Sequence, residues 1–302
     1  MTCIEKRNTT MENPLLKYLA FVKTVEKGSF TKAAESLNYA QSSVSKMIAD
    51  LEKEWGVTLL ERDRNGICLT SAGEQLLPYV RTILNDYQEL EGYIYQMKGI
   101  QTGIVRIGTF SSVSINWLPN VFAEFQKDYP GIDYEMLHGD YEDVEQWIQD
   151  GRVDCGFSRI PLNSALDPVL LKKDEYKVVL PVNHPLARKD KIKIEDLNDQ
   201  PFLLLEHGGK TEVSELLEKS NVHPQIRFTA WEDYAIMSMA EKGLGIGILP
   251  DLILQRIPYR IEIRPLEVPY YREICLAVKN RNRLTPATQK FIEYLYLKEH
   301  SC

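Results

Sequence analysis

The sequence predicts an α/β protein in three parts: an N-terminal winged helix-turn-helix, a long linker helix, and a C-terminal bilobed α/β domain. Three observations carry this. Phe30 to Ala49 reads as two short helices about a tight turn, the second with one apolar and one small polar face. Between Leu76 and Met97, apolar side chains recur at alternating spacings of four and three. From Gly103 onward, strand-like runs alternate with helical ones.

In chain order, residues 1–10 are polar and are expected to be a disordered extension. They contain no apolar segment of the kind that directs secretion, so the cytoplasm is the expected compartment. The headpiece is expected over residues 11–70. Pro14 opens a first helix with Leu15, Tyr18, Leu19 and Val22 on its inner face. Gly28 suits a helix C-terminal cap and Ser29 the N-cap of the next helix.

The second helix carries Ala33, Ala34 and Leu37 on one side, and Asn38 tolerates the left-handed backbone of the turn that follows. In the third helix Val44, Ile48, Leu51 and Trp55 form one apolar stripe. The opposite face shows Ser42, Ser45, Lys46 and Ala49, which leave room for close approach to a DNA major groove. An ordinary antiparallel helix pair is the competing reading of these residues alone. Thr58 to Leu60 and Ile67 to Leu69 are short extended runs on either side of a wing. Arg62 and Arg64 there suit phosphate contacts, with a plain surface loop as the alternative for Arg64.

Ser71 and Glu74 form a capping-box pattern that opens the linker helix, 71–98. Its seam of Leu76, Val80, Ile83, Tyr87, Leu90, Ile94 and Met97 suggests pairing with a second copy; a stripe covering the chain's own core is the alternative. At ~1.5 Å per residue such a helix spans roughly 40 Å. Pro78 lies inside it and should bend it locally. Residues 99–103, with two glycines, read as a hinge.

Residues 104–302 begin as βαβαβ. Ile104 to Gly108 is a strand, Asn116 to Tyr129 a helix, Ile132 to Leu137 a strand, Tyr141 to Gln149 a helix and Asp154 to Phe157 a buried strand. A second unit follows. It has strands at 176–181, 201–206, 225–230 and 244–250, with helices at 211–219 and 232–241 between them. Strands near Ile261 and Glu273 and a helix from Pro286 close the chain. Two crossings, near Pro161 and Pro265, divide the domain into lobe I (104–161 and 266–302) and lobe II (162–265).

In such a clam a ligand sits beyond the carboxyl ends of the strands. That singles out Thr109, Ser111, Ser112 and Arg159 from one lobe and His207, Trp231 and Tyr234 from the other. Free backbone N–H groups after Thr109 favour an anion such as a carboxylate. Each residue has a plainer reading: Ser111 and Ser112 as helix caps, Arg159 as a structural ion pair, His207 as a loop residue.

The run Tyr18-Leu19-Ala20-Phe21-Val22, then Gly28 to Leu37, Gln41-Ser42-Ser43-Val44-Ser45, Leu51 to Val57, Leu60-Glu61-Arg62 and Leu69 to Glu74 resembles the DNA-binding domain of LysR-type transcriptional regulators. Ser42 stands where that family often has Pro, and Leu60 where it usually has Phe. Met11 stands where chains of the family usually begin. Val182 to Ala187 and Gly243 to Pro250 carry a looser resemblance to the family's effector domain, a periplasmic-binding-protein-like fold.

The resemblance implies double-stranded DNA, a small effector and a homodimer or homotetramer as partners. The DNA-facing residues would be Thr31, Gln41, Ser42, Ser43, Ser45, Lys46, Arg62 and Arg64, and the dimer-forming ones Leu76, Val80, Ile83, Tyr87, Leu90 and Ile94. It also places the family's effector loops at the positions just named.

The remaining composition sets bounds. The net charge is −7, and residues 11–70 hold eight basic and eight acidic side chains, so a single headpiece is not a basic patch. Paired headpieces would add their phosphate contacts. The five cysteines make no metal-ligand spacing and no CxxC pair. None of the five histidines sits in a catalytic motif, and there is no GxSxG, P-loop or HExxH. Neither catalysis, a metal nor a cofactor is expected. No apolar stretch reaches the ~18 residues of a membrane span. A bilobed solute-binding protein or enzyme with an accessory helical domain, and a coiled-coil adaptor, are the competing classes.

Overall fold

The computed structural model describes residues 14–63, 66–97, 102–162, 165–206 and 211–300. They form two compact units, a headpiece ending at Met97 and a larger C-terminal unit. The expected extension, 1–10, and most of the expected hinge, 99–103, lie outside the described residues.

The headpiece contains α1 (Pro14–Lys27), α2 (Phe30–Leu37), α3 (Gln41–Trp55), β1 (Leu60–Asp63), β2 (Gly66–Leu69) and α4 (Ser71–Met97). Local chemistry sets each boundary. Gly28 has φ +59°, Ser29 caps α2 by accepting from the Lys32 N–H, and Asn38 closes α2 at φ 57°. Gly56 ends α3 in the same left-handed region. Phe21, Ala33, Ala34, Val44, Ile48 and Leu51 form the buried centre, with the Tyr18 and Trp55 rings 5.6 Å apart at its edge.

β1 and β2 form an antiparallel hairpin. It begins at Leu60 and not at Thr58, because the Leu59 and Leu60 N–H groups donate to Glu52 Oε1 of α3. The cap of α4 is Thr70 and not a Ser71–Glu74 box. The Thr70 hydroxyl accepts from the Gly73 N–H at 3.0 Å and donates to the Thr58 carbonyl at 2.6 Å. α4 continues through Pro78 to Met97.

The C-terminal unit is built on one seven-stranded sheet and a two-stranded one. β3 (Thr102–Thr109) lies parallel to both β4 (Gly131–His138) and β5 (Cys155–Ile160). β11 (Tyr271–Val278) runs antiparallel between β5 and β6 (Asp167–Pro181). Beyond Glu175, β6 continues against β9 (Gly247–Pro250) and β10 (Ile261–Pro265). β7 (Pro201–Leu205) and β8 (Gln225–Ala230) form a parallel pair, joined to the β9 approach by a bridge from Phe202 to Ile246.

Helices α5 (Ser111–Asn116), α6 (Leu118–Asp128), α7 (Tyr141–Gln149) and α11 (Pro286–His300) cover the first lobe. The second lobe carries α8 (Glu212–Lys219), α9 (Asp233–Glu241), α10 (Asp251–Leu254) and two single-turn helices, Pro185–Arg188 and Ile194–Leu197.

Two expectations change. The strand expected at 176–181 is more than twice as long, and its first part, Asp167–Glu175, belongs to the lobe I sheet. The first crossing therefore lies at Glu175–Tyr176, inside β6, and not near Pro161. Its charged run Lys172-Lys173-Asp174-Glu175 hid the strand in the sequence. The helix expected over 116–129 breaks at Trp117, whose buried ring packs on Phe157 at 5.6 Å.

Candidate functional site

In the headpiece, α2, the Asn38 turn and α3 present one outward face. Val44, Ile48 and Leu51 are buried, so helical geometry turns the opposite side of α3 to solvent. Thr31, Gln41, Ser42 and Lys46 are exposed, while Ser43 and Ser45 are half-buried. These side chains are short, apart from Gln41 and one cation, and suit the close approach that groove reading requires. Arg62 lies on β1, and Arg64 lies outside the described residues.

The linker seam divides in two. Leu76 packs against the headpiece core and Val80 is 2% exposed within it, so both are satisfied inside one chain. They sit on the part of α4 that lies over α1, and a heptad pattern cannot tell a core helix from a pairing helix there. Beyond that point Ile83, Tyr87, Leu90, Ile94 and Met97 are exposed.

The C-terminal unit holds a cleft of about 320 Å³ between its lobes. Phe110, Ser111, Ser112, Tyr141 and Arg159 line it from lobe I, and Glu212, Val213 and Trp231 from lobe II. Four of the residues singled out in the sequence thus meet in one place: Ser111, Ser112, Arg159 and Trp231. His207 lies outside the described residues.

Two expected members do not reach the cleft. Thr109 is fully buried at the end of β3, its hydroxyl donating to the Phe110 carbonyl at 3.4 Å. Strand alternation turns it inward, while Phe110 lines the cleft. Tyr234 turns away from the cleft-lining Asp233 on α9 and packs in the lobe II core near Tyr259.

The polar centre of the cleft is one that the sequence reading missed. Arg272 of β11 is buried, and its Nε and Nη2 donate to Asp174 Oδ2 at 3.0 and 2.7 Å. Nη2 also donates to Ser112 Oγ at 2.6 Å, and Nη1 to Tyr141 Oη at 2.9 Å. The Phe110 ring covers the guanidinium at 5.0 Å. Burial opposes the Arg272 charge, but the Asp174 carboxylate, by its charge and its hydrogen bonds, holds the group firmly protonated. Burial likewise pushes the Tyr141 and Tyr176 phenols well above their ordinary value, so both stay neutral. Ser111 Oγ and His138 Nε2 lie 3.0 Å apart at the cleft wall.

Arg159 and Glu212 meet across the lobes, Nε to Oε1 at 3.4 Å, with the Arg159 guanidinium over the Tyr141 ring at 5.5 Å. Arg272 and Asp174 carry no local sequence signal. Their partners lie far along the chain, and only strand pairing brings them together.

Comparison with known proteins is consistent across the chain. Residues 16–74 match the family described as "Bacterial regulatory helix-turn-helix protein, lysR family", and residues 98–297 match "LysR substrate binding domain". The chain is 33% identical over 276 residues to the uncharacterized HTH-type transcriptional regulator YvbU of Bacillus subtilis, covering 90% of this chain and 94% of that one. It is 33% identical over 282 residues to the probable HTH-type transcriptional regulator LrrA of Synechococcus elongatus, covering 93% and 95%. Among solved structures it is similar in fold to a full-length OxyR variant from Pseudomonas aeruginosa, with TM-score 0.75, 22% identity, and coverage of 95% and 98%. It is likewise similar to full-length CbnR in complex with its target DNA, with TM-score 0.67, 20% identity, and coverage of 93% and 98%.

Proposed function

The chain belongs to the LysR family of DNA-binding transcriptional regulators, and on that footing we propose that α3 enters the major groove and that the interlobe cleft takes a small effector bearing a carboxylate. It is a regulator with an effector-binding domain, not an enzyme. Among the described residues no helix is long and apolar enough to cross a membrane.

One observation carries the DNA-reading assignment: the buried stripe Val44, Ile48 and Leu51 leaves the small polar face of α3 open. Ser42 and Lys46 are the exposed centre of that face, and Ser45 sits beside them. The exposed stretch of α4 from Ile83 to Met97 supports pairing of two chains, which sets the distance between two headpieces. Effector closing the cleft shifts the balance between oligomer geometries, and with it the spacing of headpieces on a promoter. Arg159, Ser111 and the aromatic walls Phe110, Tyr141 and Trp231 support a small carboxylate-bearing ligand, and the cleft is at the small end of ligand pockets.

An electrophoretic mobility shift on the DNA upstream of the chain's own gene tests the first part. A sequence-specific shift that weakens steeply with salt is expected, lost in Ser45→Glu while the circular dichroism spectrum is unchanged. Absence of any such shift from the unaltered protein would overturn the assignment of α3.

A further inference from the structure

The charge of the cleft is inconsistent with an effector that is only an anion. Asp140, Glu142, Asp143, Glu212, Glu232 and Asp233 all line it, against the two guanidinium groups of Arg159 and Arg272. Arg272 is already held by Asp174. Five of the six carboxylates have an ordinary explanation. Asp140, Glu142 and Asp143 cluster at the N-terminus of α7, where Asp140 and Asp143 each accept from the other's backbone N–H. Glu232 and Asp233 stand at the N-terminus of α9. Negative charge is favourable at these positions, and Glu142 and Glu232 are also exposed to solvent.

Glu212 is different. It also begins a helix, α8, but it is 8% exposed, and its buried Oε1 accepts no hydrogen bond among the described residues. Thr211 already caps the helix, accepting from the Ser214 N–H, so Glu212 is not needed for that. Its charged neighbour is Arg159, 3.4 Å away without hydrogen-bond alignment. A carboxylate held inside a cleft with an unmet acceptor is a place for a donor.

The geometry points to an effector that carries an ammonium for Glu212 and a carboxylate for Arg159 on one and the same carbon, the class of the α-amino acids. A carboxylate alone would draw Arg159 from Glu212 and leave a buried charge with nothing opposite it. A molecule with both groups replaces one poorly aligned ion pair by two. Because Arg159 comes from β5 in one lobe and Glu212 from α8 in the other, the same molecule ties the lobes together. This inference rests on the cleft being the effector site.

The test is calorimetric titration of the full-length protein with the twenty standard L-α-amino acids. For each, the matching carboxylic acid without the ammonium and the matching amine without the carboxylate are titrated alongside. At least one amino acid is expected to bind, and loss of either charged group should lower its affinity tenfold or more. Glu212→Gln should cost that amino acid tenfold or more and leave its deaminated acid within twofold. A deaminated acid that binds as tightly as its amino acid overturns the inference while sparing the carboxylate-effector reading. So does an amino acid indifferent to Glu212→Gln. If no probe of any class binds, both fall. Should Glu212→Gln fail to fold, the comparison of paired ligands on the unaltered protein decides alone.

Discussion

Asp174 and Arg272 face each other as register partners on β6 and β11, joined by two hydrogen bonds through a single oxygen, Oδ2. The other oxygen, Oδ1, accepts from the Leu252 N–H of α10 at 2.9 Å. One carboxylate thus fastens β11 of lobe I and the start of α10 to the strand that both lobes share. It does so one residue before β6 passes from lobe I partners to lobe II partners.

Arg272→Ala is expected to destabilise the C-terminal unit by about 3–5 kcal/mol, because Asp174 would be left buried and uncompensated. Asp174→Leu combined with Arg272→Met should recover most of that loss, since the pair is replaced by apolar packing. Urea titration followed by fluorescence of the buried Trp117 measures both. A double variant as unstable as the single one would show that the pair contributes more than mutual neutralisation.

Gly73→Ala should disturb the junction between wing and linker helix. A methyl group there would stand 2.2 Å from the Leu59 carbonyl oxygen and 2.9 Å from Leu69 Cδ2, and a backbone oxygen cannot step aside. A loss of about 1–3 kcal/mol from the headpiece is expected, as for other overpacked sites. The Trp55 environment during thermal unfolding provides the readout. An unchanged melting temperature would mean that the Thr70 cap can shift without cost.

Two buried thiols give the protein an alkaline limit. Burial pushes Cys275 up to about 12 from its ordinary 9.0, and burial raises Cys155 as well. The unfolded chain loses these protons first, so stability is full below pH 9 and falls as pH rises toward the folded values. The slope approaches 1.4 kcal/mol per pH unit for each group. Urea midpoints measured across this range check the sign. In the native protein at neutral pH, iodoacetamide should label the exposed Cys68 and spare Cys155 and Cys275 until denaturant is added.

Leu90→Asp places a carboxylate in the middle of the exposed part of α4, where Leu90 is 55% exposed in the single chain. The side chain is not part of the headpiece core, so the fold should survive. The mass by light scattering is expected to fall to that of a smaller assembly. An unchanged mass would remove α4 from the pairing surface.

The headpiece was legible because its signals are local. Gly28, Ser29 and Asn38 fix their own backbone geometry, and the Val44–Ile48–Leu51 stripe declares which side of α3 is buried. The cap of α4 lies one residue before the Ser71–Glu74 pattern, since Thr70 and Ser71 are both good caps and only the Thr58 carbonyl selects between them. Leu76 and Val80 continue the seam's spacing, so the sequence could not show that the headpiece claims them. The cleft was half legible. Ser111, Ser112, Arg159 and Trp231 follow strand ends and could be placed by topology. Arg272 and Asp174 could not, because one sits among tyrosines and the other among surface-like charges, 98 residues apart in sequence. In sequence Glu212 is one more carboxylate in the first turn of a helix; only burial distinguishes it from Glu142 and Glu232.

The passage of β6 through both sheets has a mechanical result. The lobes cannot rotate like two rigid plates on a loose pin, because their shared strand is fixed by its ladders on either side of Glu175–Tyr176. Any closing motion must be taken up as torsion of that short stretch of backbone and of the segment between β10 and β11. A ligand that drew the lobes together would therefore work against a spring, and would have to supply the work of winding it.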